Sequence, residues 1–232
     1  MEKKIKITGI CGWALPEDWF AQVIESRFPD AQVEARHPNN PWDEQEASAL
    51  LENSSPDLVI GYSLGSLWLL HHKDKIPPRT VIGLMAPILA FPREKNAGGK
   101  TPLGKLKYQK KILRQAEDFH SALKGFFDLS GINLPEPNRG LPYSRETLIQ
   151  GLEFLETVEV PPDSTHGCIV VSGNRDALLD GRWLKNHIPH MTLVEDSDHS
   201  PHKLLDHLQN HPEIRALTQN PSTRSTLSQK VS

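Results

Sequence analysis

A serine between two glycines offers the clearest chemistry in the sequence. Residues 61–65 read Gly-Tyr-Ser-Leu-Gly, a G-x-S-x-G pattern that directly follows an apolar run and directly precedes a helical pattern. In that context the pattern predicts a sharp strand-to-helix turn that exposes the Ser63 hydroxyl above a sheet. A chance glycine turn is the alternative, but the flanking strand and helix favour a nucleophile at Ser63.

A serine hydroxyl is a weak nucleophile, so it needs a general base, and the base needs an acid that orients it. In sites of this kind the acid and then the histidine follow the serine along the chain. Asp176 lies just after a predicted strand at Cys168–Ser172, and His199 lies in the loop after a predicted strand at Met191–Glu195. We therefore predict Asp176 as the acid and His199 as the base. Asp180 is the alternative acid, although its position favours a cap on the next helix.

The negative oxygen that forms when a serine attacks a carbonyl needs two backbone N–H donors. Leu64, the residue after the nucleophile, supplies one. We expect Trp13, in the loop after the first strand, to supply the other. Its indole would wall the substrate pocket or simply pack beneath the loop. Cys11 is interpreted as structural, because a serine nucleophile is already present.

No cofactor or metal is expected from the sequence. His187 and His190 have a spacing that a metal could use, and so do His207 and His211. No cysteine or carboxylate constellation accompanies either pair, and structural metal sites need about four ligands.

Length and composition limit the class of protein. The 232 residues, 37% of them hydrophobic, fit one domain with a core. Two cysteines without a CxxC pattern cannot form a disulfide framework, so a reducing cytoplasm is the expected compartment. No run approaches the roughly 18 apolar residues of a membrane span, and the N-terminus lacks the features of a signal peptide. The net charge of −3 argues against a general nucleic-acid binder. We also expect a monomer that does not bind membranes.

Apolar runs alternate with helical patterns, which predicts an α/β fold with a mostly parallel sheet. The continuous apolar runs at Leu58–Ile60 and Ile169–Val171 are typical of strands covered on both faces. Residues 1–91 and 166–219 are predicted to form this core, 92–165 a helical cap without strands, and 220–232 a flexible tail. Six strands are predicted, at Lys4–Ile10, Gln32–His37, Asp57–Tyr62, Thr80–Ala86, Gly167–Ser172 and Met191–Glu195.

The predicted cap contains a basic segment. Residues 92–125 hold nine Lys and Arg against three Asp and Glu, a local net charge of +6. A long helix is predicted at Leu103–Phe127, and a second at Arg145–Val158. An acidic partner and a solvated helix face both explain the charge. Four basic residues follow helical spacing and are predicted to share one face: Lys107, Lys110, Lys111 and Arg114.

With these residues in place, the sequence resembles the α/β-hydrolases over most of residues 4–210. Within that superfamily it is similar to the pimeloyl-acyl carrier protein methyl ester esterases of biotin synthesis. The similarity lies in Gly12-Trp13 followed by Trp19, in Ser63-Leu64-Gly65, and in the octapeptide at 151–158. The chain resembles a minimal member that lacks two N-terminal antiparallel strands and keeps six parallel ones.

The resemblance implies a serine carboxylic ester hydrolase that cleaves the methyl ester of an acyl chain carried on an acyl carrier protein. It also implies that Phe126 and Phe127 contact the acyl chain. The basic helix face would then dock the acidic carrier.

Two other interpretations stay open. The same residues would serve an acyl thioesterase or a general short-chain carboxylesterase. A ligand-binding protein could also keep the fold without turnover, and hydrolysis of a chromogenic short-chain ester separates this interpretation from the enzymes.

Overall fold

A six-stranded parallel sheet forms the centre of the described chain. The computed structural model describes residues 4–118, 123, 126–128, 132 and 143–219. The strands are β1 Lys6–Ile10, β2 Gln32–Arg36, β3 Leu58–Tyr62, β4 Val81–Met85, β5 Ala90–Pro92, β6 Gly98–Thr101, β7 Ile169–Gly173 and β8 Thr192–Val194. Six of them pair in the order β2-β1-β3-β4-β7-β8, with every neighbouring pair parallel. This confirms the predicted sheet.

Helices follow the strands and cover both faces of the sheet, as short right-handed crossovers between parallel strands require. A π-helical turn at Ala49–Asn53 continues the helix Glu44–Ser48. The α-helices whose two ends lie within the described residues are α1 Glu17–Glu25, α2 Glu44–Ser48, α3 Leu64–His71, α4 Leu103–Gln115, α5 Arg145–Thr157, α6 Gly181–His187, α7 Pro201–Gln209 and α8 Pro212–Gln219.

Burial explains why the central elements carry so few polar residues. Every residue of β3 and β7 is buried, as expected for strands of a parallel sheet that is covered on both faces. In α3 all residues from Leu64 to Leu70 are buried. A helix that is apolar on every side belongs inside a protein, so α3 is fixed between the sheet and its neighbours.

Strand order also places the site. From β1 the chain moves outward to β2 and then returns to β3 on the other side of β1. Loops that leave the carboxyl ends of strands on either side of such a reversal diverge, and this opens a crevice. The loop after β1 and the turn that carries Ser63 after β3 lie at this point.

The segment between β4 and β7 differs from the prediction in two respects. A short parallel pair of strands, β5 and β6, is present where no strand was predicted. Helix α4 ends at Gln115, well before the predicted end at Phe127. Residues 119–122, 124–125, 129–131 and 133–142 of this region, and the predicted tail at 220–232, lie outside the described residues.

The start of α7 is held by a backbone hydrogen bond rather than by a side-chain cap. Ser200 precedes Pro201, which occupies the first helical position, but the Ser200 side chain makes no capping hydrogen bond. Its backbone amide instead donates to the Asp198 carboxylate at 2.9 Å.

No helix among the described residues has both the length and the apolar character needed to cross a bilayer.

Glycines allow α3 to begin directly against β1 and β3. A Cβ atom on Gly65 would lie 2.1 Å from the Ile10 carbonyl oxygen, and one on Gly61 would lie 2.7 Å from the Gly65 carbonyl oxygen. Both neighbours are backbone atoms of buried elements, so neither can move aside without shifting a strand or a helix.

Gly65→Ala should therefore lower the free energy of unfolding by about 3 kcal/mol or more, because the added methyl group overpacks against a buried backbone. Chemical denaturation measures the change. Gly104→Ala is the matched control, since a Cβ atom there meets nothing within 4 Å, and it should leave the protein unchanged or stabilise it by up to about 1 kcal/mol. Equal effects of the two substitutions would contradict this account of the turn.

Candidate active site

Ser63 lies on a strained turn between β3 and α3. Its backbone has φ 54° and ψ −114°, a conformation that is rare for residues other than glycine. Two hydrogen bonds hold the turn: the Ser63 amide donates to the Met85 carbonyl at 3.0 Å, and the Ser66 hydroxyl donates to the Ser63 carbonyl at 2.6 Å. The turn lifts the Ser63 side chain above the carboxyl end of the sheet.

His199 bridges Ser63 and Asp176. Its Nε2 lies 2.9 Å from Ser63 Oγ, and its Nδ1 lies 2.6 Å from Asp176 Oδ2. A carboxylate accepts hydrogen bonds, so Nδ1–H donates to Asp176 and Nε2 is left to accept the Ser63 proton. All three side chains are buried. The structure thus brings together the three residues predicted from separate parts of the sequence.

The Asp176 carboxylate is fixed from its other side. Its Oδ1 accepts the backbone amides of Leu178 at 2.7 Å and Leu179 at 3.0 Å, which leaves Oδ2 for His199. The Lys100 ammonium donates to the Asp176 carbonyl at 2.7 Å. Asp180, the alternative acid, instead accepts the first amides of α6 at 3.0 and 3.1 Å, so it caps that helix as the sequence predicted.

Tyr62 links the serine turn to the histidine loop, and sequence reasoning missed this role. Its hydroxyl donates to the His199 carbonyl at 2.6 Å, and its ring lies beside the His199 ring with centroids 5.4 Å apart. Burial raises the pKa of Tyr62 well above its usual value of 10.0, so the hydroxyl stays protonated and keeps donating. No local pattern could reveal a contact across 137 positions.

Residues Cys11–Leu15 form the turn after β1 that holds the predicted oxyanion donor Trp13, the oxyanion turn. It packs directly on the residue before Ser63, since a Cβ atom on Gly12 would lie 2.9 Å from the Tyr62 ring. Within the described chain, the amides of Trp13 and Leu64 donate to no backbone carbonyl. Both amides are therefore available as the two donors that the sequence predicted, and their role in oxyanion binding stays a prediction.

Trp13 joins the oxyanion turn to helix α5. Its indole Nε1 donates to the Leu148 carbonyl at 2.8 Å, and the ring lies so close to Gly151 that a Cβ atom there would be 2.7 Å from Cδ1. Phe126 packs edge-on against the indole with centroids 4.8 Å apart, and Phe127 lies 5.9 Å beyond Phe126. The predicted aromatic residues therefore form one continuous cluster beside the turn.

Cys11 offers no competing nucleophile. Its thiol is completely buried. Burial, with a smaller contribution from Glu17, raises its pKa well above 9.0. Because the thiolate is the reactive form of cysteine, this residue acts as part of the core.

The predicted basic face on α4 is divided. Lys110 pairs with Glu153 and Glu156 of α5, and Arg114 pairs with Glu153 at 3.1 Å. Lys107 and Lys111 are exposed, and no ion pair involves them within the described residues. Half of the face therefore fastens α4 to α5, and the other half faces solvent.

Among the described residues, no group of three or more His, Cys, Asp or Glu side chains is arranged to hold a metal ion. His187 stacks on Trp183 with centroids 3.7 Å apart, whereas His190 Nε2 lies 3.2 Å from the Thr165 carbonyl.

The sequence matches no protein-family model and no curated protein sequence. Its structure is similar to those of an esterase from Exiguobacterium antarcticum (TM-score 0.69, 15% identity, covering 90% of this chain and 91% of the esterase). It is also similar to an N-acyl homoserine lactonase, AidH, crystallised with N-butanoyl homoserine. There the TM-score is 0.65 and the identity 10%, and the match covers 94% of this chain and 91% of the lactonase. A hydrolase from Pseudomonas aeruginosa PA01 is a third neighbour. Its TM-score is 0.58 at 16% identity, and the match covers 94% of this chain and 89% of the hydrolase.

These likenesses span nearly the whole of each chain. The protein therefore has the α/β-hydrolase fold, as the resemblance of its sequence implied. At identities of 10 to 16% the comparison establishes the fold alone.

Replacement of Asp176 by Asn tests which carboxylate orients the histidine. In the Asn variant the side-chain NH2 group faces His199 and donates a hydrogen bond where the carboxylate accepted one. This favours the His199 tautomer that carries its proton on Nε2, and that nitrogen then cannot accept the Ser63 proton. The rate at which a fluorophosphonate labels Ser63 should fall by about a hundredfold or more. Asp180→Asn is the control, because asparagine caps helices as well as aspartate does, and it should label at the normal rate. The reverse result would identify Asp180 as the acid.

Proposed function

We propose that the protein is a serine hydrolase that cleaves carboxylic esters through an acyl-enzyme. The observation that carries the proposal is the buried hydrogen-bonded chain Asp176–His199–Ser63, with the base 2.9 Å from the nucleophile and 2.6 Å from the acid. Nucleophile, base and orienting acid within hydrogen-bond reach are the arrangement that covalent acyl transfer needs.

In the first half of the reaction, Ser63 Oγ attacks the ester carbonyl carbon and its proton passes to His199 Nε2. The carbonyl oxygen becomes an oxyanion, which the amides of Leu64 and Trp13 stabilise. The bond to the alcohol then breaks. The departing alkoxide takes the proton from His199 and leaves as the free alcohol, with the acyl group attached to Ser63.

In the second half, water replaces the alcohol. His199 takes a proton from the water molecule as it attacks the acyl carbon, and returns it to Ser63 Oγ when the acyl–serine bond breaks. Asp176 keeps the imidazole in the required tautomer and stabilises its charged form throughout. The products are a carboxylic acid and the regenerated enzyme.

The structural neighbours are consistent with this reaction class. One is named an esterase and another a lactonase, and both names describe cleavage of an ester bond at a carbonyl carbon. Because function resides in the site rather than in the fold, this agreement is secondary to the geometry of Ser63, His199 and Asp176. An acyl thioesterase would use the same residues.

The finer proposal is that the acyl chain carries a methyl ester and is linked to an acidic carrier protein, as in pimeloyl-acyl carrier protein methyl ester. The aromatic cluster of Trp13, Phe126 and Phe127 suits an apolar chain. Lys107 and Lys111 leave positive charge exposed on α4, and an acidic carrier would be attracted to it. Lys110 and Arg114 contribute less, because their charges are already paired.

Removal of the nucleophile tests the reaction class. Ser63→Ala should lower kcat for a chromogenic short-chain ester by at least about four orders of magnitude while the protein stays folded. His199→Ala should cost a similar factor, and the double variant little more than either alone, because the residues act as a unit. Substantial turnover by Ser63→Ala would refute the mechanism, and a wild-type protein without turnover on any ester or thioester would favour the ligand-binding alternative.

Charge reversal on α4 tests the carrier. Lys107→Glu combined with Lys111→Glu should lower kcat/KM steeply for a carrier-linked substrate and hardly change it for a small free ester, and added salt should reproduce the loss in the wild type. Arg79→Glu with Arg215→Glu makes the same change of charge at exposed positions elsewhere and should have little effect. If both substrates respond alike, the general esterase is the better proposal.

A further inference from the structure

The oxyanion turn depends on support from outside itself. It belongs to no helix or strand, and its one internal backbone hydrogen bond joins the Leu15 amide to the Gly12 carbonyl at 3.2 Å. Ala14 has a positive φ of 62°, which is strained for a residue with a side chain. Strain of this kind persists only where surrounding contacts hold it. The donor amide of Trp13 lies inside this strained turn.

Tyr143, just before α5, provides one such contact. Its hydroxyl donates to the Leu15 carbonyl at 2.7 Å across 128 positions of sequence, and the residue is only 8% exposed. Burial raises the pKa of Tyr143 above its usual value, so the phenol remains a donor. Together with the indole hydrogen bond from Trp13 to Leu148, it ties the turn to the beginning of α5 at two points.

His37 contacts both the Tyr143 ring and Ala14, the strained residue of the oxyanion turn. The two rings are in contact, with centroids 4.3 Å apart and planes tilted by 31°, and His37 Nε2 accepts the Ala14 amide at 3.4 Å. His37 Nδ1–H donates a hydrogen bond to the Pro38 carbonyl at 3.0 Å. Burial lowers the pKa of His37 to about 4, so near neutral pH the ring is uncharged and can accept.

We infer that Tyr143 is a positioning residue for the oxyanion turn: its hydroxyl, fixed by His37, holds the Leu15 carbonyl and thereby the Trp13 amide two residues away. This inference rests on the proposed function and deepens it. It implies that the segment leading into α5, which contributes no member of the Asp176–His199–Ser63 chain, completes the environment of the developing negative charge.

Tyr143→Phe is the direct test, because it removes one hydroxyl and keeps the ring on His37. With a small ester, kcat should fall about tenfold, less than the hundredfold or greater loss found when an oxyanion donor itself is removed. KM should change less than about twofold, because the donors act on the transition state rather than on the ester. Tyr108→Phe is the matched control, since that phenol is 62% exposed on α4, and it should leave both constants unchanged.

A second measurement separates positioning from stability. Ser63 Oγ adds to the carbonyl carbon of a trifluoromethyl ketone, and the serine proton passes to His199. The ketone oxygen becomes an oxyanion that binds the same two backbone amides. Its affinity should fall in Tyr143→Phe by the same factor as kcat, at a temperature where thermal denaturation shows the variant to be folded. A lowered melting temperature with unchanged kcat and ketone affinity would mean that the hydroxyl only stabilises the fold, which overturns the inference.

The two proposals fail differently. If the wild type hydrolyses the ester and a fluorophosphonate labels Ser63, but Tyr143→Phe matches it in kcat and ketone affinity, the inference fails and the proposed function stands. If the wild type neither turns over the ester nor reacts at Ser63, the proposed function fails and the inference fails with it.

Discussion

The site depends on one constraint: a carboxylate, an imidazole and a hydroxyl that are almost fully buried must satisfy one another. Asp176 and His199 are each 1% exposed and Ser63 is 6% exposed. A buried carboxylate without partners would be costly, so the loops after β3, β7 and β8 have to converge at one edge of the sheet. A parallel sheet meets this requirement directly, because all of its strands end at the same edge.

Hydrogen bonds from side chains to backbone carbonyls make that convergence rigid. Tyr62 reaches the His199 carbonyl, Lys100 the Asp176 carbonyl and Tyr143 the Leu15 carbonyl, each across more than 70 positions of sequence. In each case a donor on one element fixes the backbone of a loop on another. Lys100 lies on β6 and Tyr143 before α5, so the segment between β4 and β7 supports the site as well as lying beside it. Catalytic geometry requires this second layer of support.

Charge in this segment shows the limits of counting along a sequence. The stretch 92–125 carries a local net charge of +6, yet Lys110 and Arg114 are paired with acidic residues of α5. Those partners lie some forty positions further along the chain and become neighbours only when the two helices pack. What remains exposed is a smaller positive surface around Lys107 and Lys111.

The six strands of the main sheet, the serine turn and the positions of Asp176 and His199 were all predictable from the sequence. They depend on short-range sterics, on apolar runs and on the order of elements along the chain. Packing between distant elements settles which donors fix the loops, which lysines lack an ion pair among the described residues, and that β6 forms at all. The Gly98–Thr101 strand contains two glycines and has little propensity for β-structure, but a Cβ atom on Gly99 would lie 2.0 Å from the Phe91 carbonyl oxygen. Contacts of this kind follow from how the elements pack, and no local pattern encodes them.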